Sequence, residues 1–158
     1  MNVEQLNQTR LQQVHPIVAS LMHQVIDKCL QQNVHVLVTQ GLRTWAEQDA
    51  LYAQGRSAPG KKVTNAKGGQ SYHNFGFAVD FVPIDALGKA DWNVAHPSWK
   101  VVVDIAKQMH FEWGGDWESF KDYPHLQITG GLSLADLRKL YKTGGLEGCW
   151  AELTSRMA

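Results

Sequence analysis

The chain has 158 residues, 44% of them hydrophobic, enough for one ordinary buried core and too few for a second. Fifteen basic residues against fifteen acidic ones give a formal charge of zero, which removes the electrostatic case for nucleic acid or an anionic membrane surface as partner. The start, Met1-Asn2-Val3-Glu4-Gln5-Leu6, lacks the basic and apolar regions of a secretory signal, and no stretch approaches the roughly twenty apolar residues of a membrane span, so the expectation is a monomer made in the cytoplasm without membrane insertion.

Pro16 suits a first helical turn, and Val18, Leu21, Val25, Ile26, Cys29 and Leu30 recur at helical spacing, predicting a helix from about Pro16 to Leu30. Cys29 lies inside that apolar pattern and reads as a small buried hydrophobe. With Cys149 as the sole other cysteine there is no disulfide framework. Val34 to Thr39 alternates and is β-branched, which predicts a strand ending at Gln40-Gly41. Thr44-Trp45-Ala46-Glu47 has the form of a capping box and opens a helix that stops at Gly55.

Residues 56–70 are rich in Gly, Lys, Ser and Asn and predict a long loop, a type of segment that often carries function. Phe77 to Val82 reads as a buried strand, and after a loop with Gly88 and Asp91 a helix begins at Pro97 with Val101, Val102, Ile105, Ala106 and Met109 as its apolar positions. Phe111 to Trp113 and His125 to Ile128 predict two short strands. Ser133 caps a last helix bearing Leu134, Leu137, Leu140 and Tyr141, and the tail from Gly144 is short. His15 and His96 each precede a proline at a helix start, and His23, His35 and His110 lack a spaced carboxylate. The sum is an α+β fold, a small sheet packed against several helices in one domain, with its core at about 14–143.

One pairing stands out. His73 and Asp80 lie in Ser71-Tyr72-His73-Asn74-Phe75-Gly76-Phe77-Ala78-Val79-Asp80, and Asp122-Tyr123-Pro124-His125 follows some forty residues later. Two imidazoles and one carboxylate fill three corners of a zinc tetrahedron and leave the fourth for water, as in a hydrolytic site. Zinc holds such ligands at about 2.0–2.2 Å. A helix would leave residues seven apart about 10 Å distant along its axis, and a flat strand would send them to opposite faces. The backbone must turn between them, and Asn74 and Gly76 tolerate the left-handed conformations of a sharp turn. A lone His-x6-Asp arises by chance; Asp-x-x-His and the arginine segment Gly41-Leu42-Arg43 give it weight. Asp122 is placed to handle the proton of the attacking water.

These residues resemble the zinc peptidases of the D-alanyl-D-alanine carboxypeptidase/VanY type, and within them the L-alanyl-D-glutamate endopeptidases used as phage endolysins. The resemblance rests on Gln40 to Gln48, Leu51 to Arg56, Ser71 to Asp80, Trp113-Gly114-Gly115-Asp116-Trp117 and Asp122 to Gln127, in the family's order over roughly residues 35 to 130. It implies a small α+β domain with a central antiparallel sheet, of the hedgehog and D,D-peptidase kind. It implies one zinc ion per chain held by His73, Asp80 and His125, Asp122 as catalytic base, and Arg43 facing the scissile carbonyl. Many relatives carry a separate wall-binding domain, for which the residues after Gly130 leave little room.

The implied activity is hydrolysis of the L-Ala–D-Glu bond in the stem peptide of bacterial peptidoglycan, by a phage endolysin that reaches the wall through a holin-type pore. The alternatives are a D,D-carboxypeptidase or dipeptidase acting on D-Ala-D-Ala, and a zinc-stabilised wall-binding module without catalysis. Ser71, Gln40, Gln127 and Trp113 are candidates for orienting the ligands or touching substrate. Of Trp113, Trp117, Phe120 and Tyr123, two are expected to be buried packing and the rest to line a groove.

Overall fold

The computed structural model describes residues 1–158. The elements run α1 (Val3–Leu11), α2 (Pro16–Leu30), β1 (His35–Gln40), α3 (Trp45–Ala53), a 3-10 turn (Tyr72–Phe75), β2 (Ala78–Ile84), α4 (Pro97–Gln108), β3 (Glu112–Trp113), a second 3-10 turn (Gly114–Asp116), β4 (His125–Gln127) and α5 (Leu134–Arg156). This is the α+β class expected. The four strands form one sheet in the order β1-β2-β4-β3, and every neighbouring pair is antiparallel. By internal contacts the chain groups into two units, Met1–Gly41 with Ala78–Ile128, and Leu42–Phe77 with Thr129–Ala158.

The first unit holds the sheet with α1, α2 and α4. Helix α2 starts where Pro16 requires it and is capped by His15, whose Nδ1 accepts from the Ile17 amide at 3.0 Å. His96 caps α4 in the same way through the Ser98 amide at 3.1 Å, so both histidines before prolines serve as N-caps. The buried stripe of α2 is Val18, Met22, Val25 and Cys29, while Leu30 is exposed. Strand β2 lies between β1 and β4, and its Ala78, Val79, Phe81, Val82 and Pro83 are all buried, as a strand covered on both faces must be.

Helix α1 was not anticipated. Its signal is present in the sequence: Asn2 caps it and Gln5 returns the bond to the Asn2 amide, a capping box in which asparagine stands for serine. Its work is at the sheet edge. The buried Asn7 donates from Nδ2 to the Val36 carbonyl at 2.8 Å and accepts from the Val38 amide at 2.7 Å, while Arg10 donates to the Val38 carbonyl at 2.6 Å. A side-chain amide thus satisfies backbone groups of β1 that another strand would otherwise recruit.

In the second unit α3 opens with the Thr44–Glu47 capping box and gives way at Gly55, which is left-handed at φ 77°. Trp45 stacks on Tyr141 of α5 at 4.7 Å between ring centroids and meets Phe75 edge-on at 5.9 Å. Helix α5 starts at the Ser133 cap, but residues after Gly144 are not a short tail. The helix breaks at Gly145 (φ 62°, ψ −159°) and resumes to Arg156, burying Cys149 and Leu153, and Trp150 donates to the Phe75 carbonyl at 2.8 Å. Two glycines in succession read as an end, whereas the apolar residues beyond them have a surface to cover.

Candidate metal centre

The sheet register builds half of the site. Asp80 on β2 stands directly opposite His125 on β4, and Gln40 on β1 stands opposite Asp80 on its other side, after a bulge between Val38 and Gln40. Directly paired residues share a face with Cβ atoms about 4.5–5.5 Å apart, so Gln40, Asp80 and His125 form a row across three strands. His125 Nδ1 lies 3.6 Å from Asp80 Oδ1 and 3.7 Å from Asp122 Oδ2. Two atoms bound to one tetrahedral zinc at 2.0–2.2 Å are roughly 3.4 Å apart, so the His125–Asp80 spacing suits a shared cation and exceeds the usual 2.7–3.2 Å of a hydrogen bond.

The other ring nitrogen of His125 is engaged elsewhere. Nε2 lies 2.7 Å from Gln127 Oε1, and Gln127 Nε2 donates to Glu112 Oε2 at 3.0 Å. Because the amide oxygen can only accept, Nε2 donates to it, and Nδ1 is the nitrogen turned towards Asp80 and Asp122. Burial of His125 by itself favours the neutral ring, but the Asp80 carboxylate, the Gln127 bond and Asp122 outweigh it and raise its pKa above the ordinary value. Trp117 covers the imidazole with its ring centroid 5.0 Å away.

His73 is held by its backbone within the 3-10 turn. Its amide donates to Ser71 Oγ at 3.2 Å and its carbonyl accepts from the Arg43 amide at 3.0 Å. Ser71 is therefore the cap of the turn that carries His73. The chain reverses at Gly76, φ 72°, as the His73–Asp80 spacing demands. Asn74 is not left-handed, contrary to the expectation. It lies in the turn with its side chain buried, its Oδ1 accepting from Gly69 and Ser71 and its Nδ2 donating to the Arg43 carbonyl at 3.0 Å. Arg43 donates from Nη1 to Oε1 of the buried Gln48 at 2.9 Å, and Gln48 is anchored on the Ala66 carbonyl.

The candidate ligand atoms of His73, Asp80 and His125 all lie within 4.8 Å of one another, and no other group of histidine, cysteine or acidic side chains is so arranged. Two imidazoles and one carboxylate, with one imidazole already turned by an outer hydrogen bond, match the donor set of an open zinc site. The two carboxylates differ in exposure: the Asp80 side chain is 20% accessible and that of Asp122 49%. The less exposed carboxylate suits a ligand, and the more accessible one suits proton exchange with solvent and substrate.

The aromatic expectation is corrected. None of the four is fully buried: Trp113 and Trp117 are half-buried, Phe120 is 71% exposed and Tyr123 37%. Trp113 donates to the Tyr123 carbonyl at 2.7 Å and so braces the segment that carries Asp122. Density of aromatic residues signals packing in a core, but here Trp113 and Tyr123 pack on each other, ring centroids 5.9 Å apart, beside Asp122. Three supporting residues escaped the sequence reading: Glu112, Gln48 and the side chain of Asn74. Asn74 adjoins His73 in the motif; Glu112 bonds to Gln127 and Gln48 to the Ala66 carbonyl, partners distant in sequence that leave no local signal.

Residues 64–128 match the family model described as D-alanyl-D-alanine carboxypeptidase. The chain is 43% identical over 122 residues to the peptidoglycan L-alanyl-D-glutamate endopeptidase CwlK of Bacillus subtilis strain 168, covering 73% of each. It is 39% identical over 98 residues to the L-alanyl-D-glutamate peptidase of Listeria phage A118, covering 61% of this chain and 31% of that one. Among solved structures it resembles the L-Ala D-Glu endopeptidase ChiX of Serratia marcescens, with TM-score 0.55, 30% identity, and 78% and 86% of the two chains covered.

Proposed function

From its membership of the D-alanyl-D-alanine carboxypeptidase family of metallopeptidases, to which this chain belongs, we propose that it is a zinc-dependent endopeptidase cutting the L-Ala–D-Glu bond of peptidoglycan. The observation that carries this is the convergence of His73, Asp80 and His125, together with relatives named for that bond.

In this reading a ring nitrogen of His73, one Asp80 oxygen and His125 Nδ1 would hold the ion. Zinc, when bound, supplies a Lewis acid that makes water nucleophilic near neutral pH. Asp122 accepts the water's proton and returns it to the departing amine, a shuttle for which its half-exposed carboxylate beside His125 is suited. Arg43, tied through its amide to the His73 carbonyl and through its guanidinium to Gln48, directs positive charge at the oxyanion that develops on the scissile carbonyl, a role worth a few kcal/mol for a well-placed donor. Gln40, in register with Asp80, borders this chemistry from β1, and Trp113 on β3 supports it at one remove by holding the Tyr123 carbonyl beside Asp122. The similarity to a phage peptidase supports a role in host lysis, with access to the wall through a pore made by a holin-type partner.

Digestion of purified sacculi tests this. Fragment masses are expected to show stem peptides released with D-Glu at their new amino terminus, abolished by a chelator and restored by zinc. Loss of terminal D-Ala alone would instead identify a D,D-carboxypeptidase. Retention on sacculi without new amino groups would identify a binding module.

A further inference from the structure

We propose that Glu112 is a positioning residue that sets the tautomer of His125 through Gln127, and thereby the strength of metal binding. This rests on the zinc-site reading above. Glu112 on β3 is the direct cross-strand partner of Gln127 on β4, and His125, two residues before Gln127 on the same strand, projects from the same face. The three side chains form a chain of bonds, Glu112 Oε2 to Gln127 Nε2 at 3.0 Å and Gln127 Oε1 to His125 Nε2 at 2.7 Å.

The polarity of that chain runs one way. A carboxylate only accepts, so Glu112 draws the NH2 end of the Gln127 amide towards itself. The amide oxygen must then face His125, and because that oxygen also only accepts, His125 must carry its proton on Nε2. Nδ1 is then the nitrogen that faces Asp80, 3.6 Å away, and Asp122, 3.7 Å away, and its lone pair is the one a cation held beside those carboxylates would take. Were the Gln127 amide reversed, its NH2 would seek a lone pair on Nε2, the proton would move to Nδ1, and the nitrogen facing Asp80 would be blocked to a cation. Gln127 is buried and has no solvent to reorient it, whereas Glu112 is exposed, so the end of the chain that sets its direction can be altered without opening the core.

Glu112→Ala and Glu112→Gln would be compared with the wild type in two measurements. Zinc dissociation constants come from competition with a chromophoric chelator. The tautomer comes from nitrogen-15 NMR of the His125 ring in metal-free protein, at a pH where the ring is neutral. Glu112→Ala is expected to weaken zinc binding by roughly tenfold, the lower end for outer partners of a metal ligand, and to show a mixture of His125 tautomers. Glu112→Gln, whose amide oxygen still accepts from Gln127, is expected to restore both. Thermal unfolding checks that the variants stay folded. Unchanged zinc affinity and a single Nε2–H tautomer in Glu112→Ala would overturn the proposal. A wild type that binds no zinc would refute the zinc-site reading instead, and the metal-free tautomer spectra would still decide the role of Glu112.

Discussion

The amide of Asp122 donates to the carbonyl of Gly114 at 3.0 Å, and a side chain at Gly114 has nowhere to go. A Cβ there would press into the carbonyl oxygen of Asp122 and lie 3.1 Å from Cβ of both Asp122 and His125. The glycine after Trp113 is thus the floor on which the proposed base and one proposed ligand rest. Gly114→Ala should displace the Asp122 segment. Misplacement by about 1 Å can cost 10²-fold in rate, so hydrolysis of wall peptide should fall by about that factor, more than any loss of folded protein explains. Full activity would show that Asp122 need not sit where it does.

Asp122→Ala and His73→Ala separate base from ligand. The first is expected to abolish turnover with zinc content near one per chain; the second should lose metal and activity together. Zinc content by atomic emission, alongside release of amino groups from sacculi, reads both. An Asp122→Ala protein that lyses walls normally would remove that residue from the mechanism.

In the proposed zinc site, proton and metal would compete for His125 Nδ1. In the metal-free protein the His125 pKa is raised above 6.5, burial opposing the shift and Asp80, Gln127 and Asp122 together producing it. A raised folded value means that the charged imidazole contributes stability fully below the unfolded pKa and loses it as pH rises through the folded value. Zinc requires the neutral ring, so its affinity should change in the opposite sense, weakening as pH falls through that same range. Melting of metal-free protein and zinc titrations across pH would follow both trends, and a zinc affinity independent of pH would contradict the ligand assignment.

Both cysteines should be inert while the protein is folded. Burial pushes the Cys29 thiol up to about 12 and raises that of Cys149, whose Sγ donates to the Leu137 carbonyl at 3.3 Å. The reactive thiolate is therefore scarce at both positions. A thiol reagent at pH 8 is expected to titrate no cysteine in native protein and both in denaturant; rapid modification of native protein would mean that α2 or the end of α5 opens readily.

Asn7→Ala should strip β1 of two hydrogen bonds while leaving the carbonyl of Val36 and the amide of Val38 in place. An unsatisfied buried polar group costs about 1–3 kcal/mol, so a loss of roughly 2–6 kcal/mol in denaturant unfolding is expected for the pair. A variant as stable as the wild type would show that α1 does not secure the sheet edge.

The elements legible in the sequence are those whose cause is local. Pro16 and Pro97 start helices, Thr44 with Glu47 and Ser133 with Asp136 cap them, and Gly76 turns the chain, because each acts over a few residues and needs no distant partner. The residue types of the candidate metal site were legible for a similar reason, since ligand chemistry admits few side chains. What the tertiary structure alone decided is pairing. Asp80 meets His125 because β2 and β4 adopt one register among several that alternation of side chains would permit, and Glu112 reaches Gln127 only because β3 lies on the far side of β4. Register is set by which face is buried once all strands are assembled. For that reason the role of Asn7 at the edge of β1, the burial of Cys149 beyond Gly145 and the bond chain behind His125 follow from the assembled sheet and helices, where residues far apart in sequence first become neighbours.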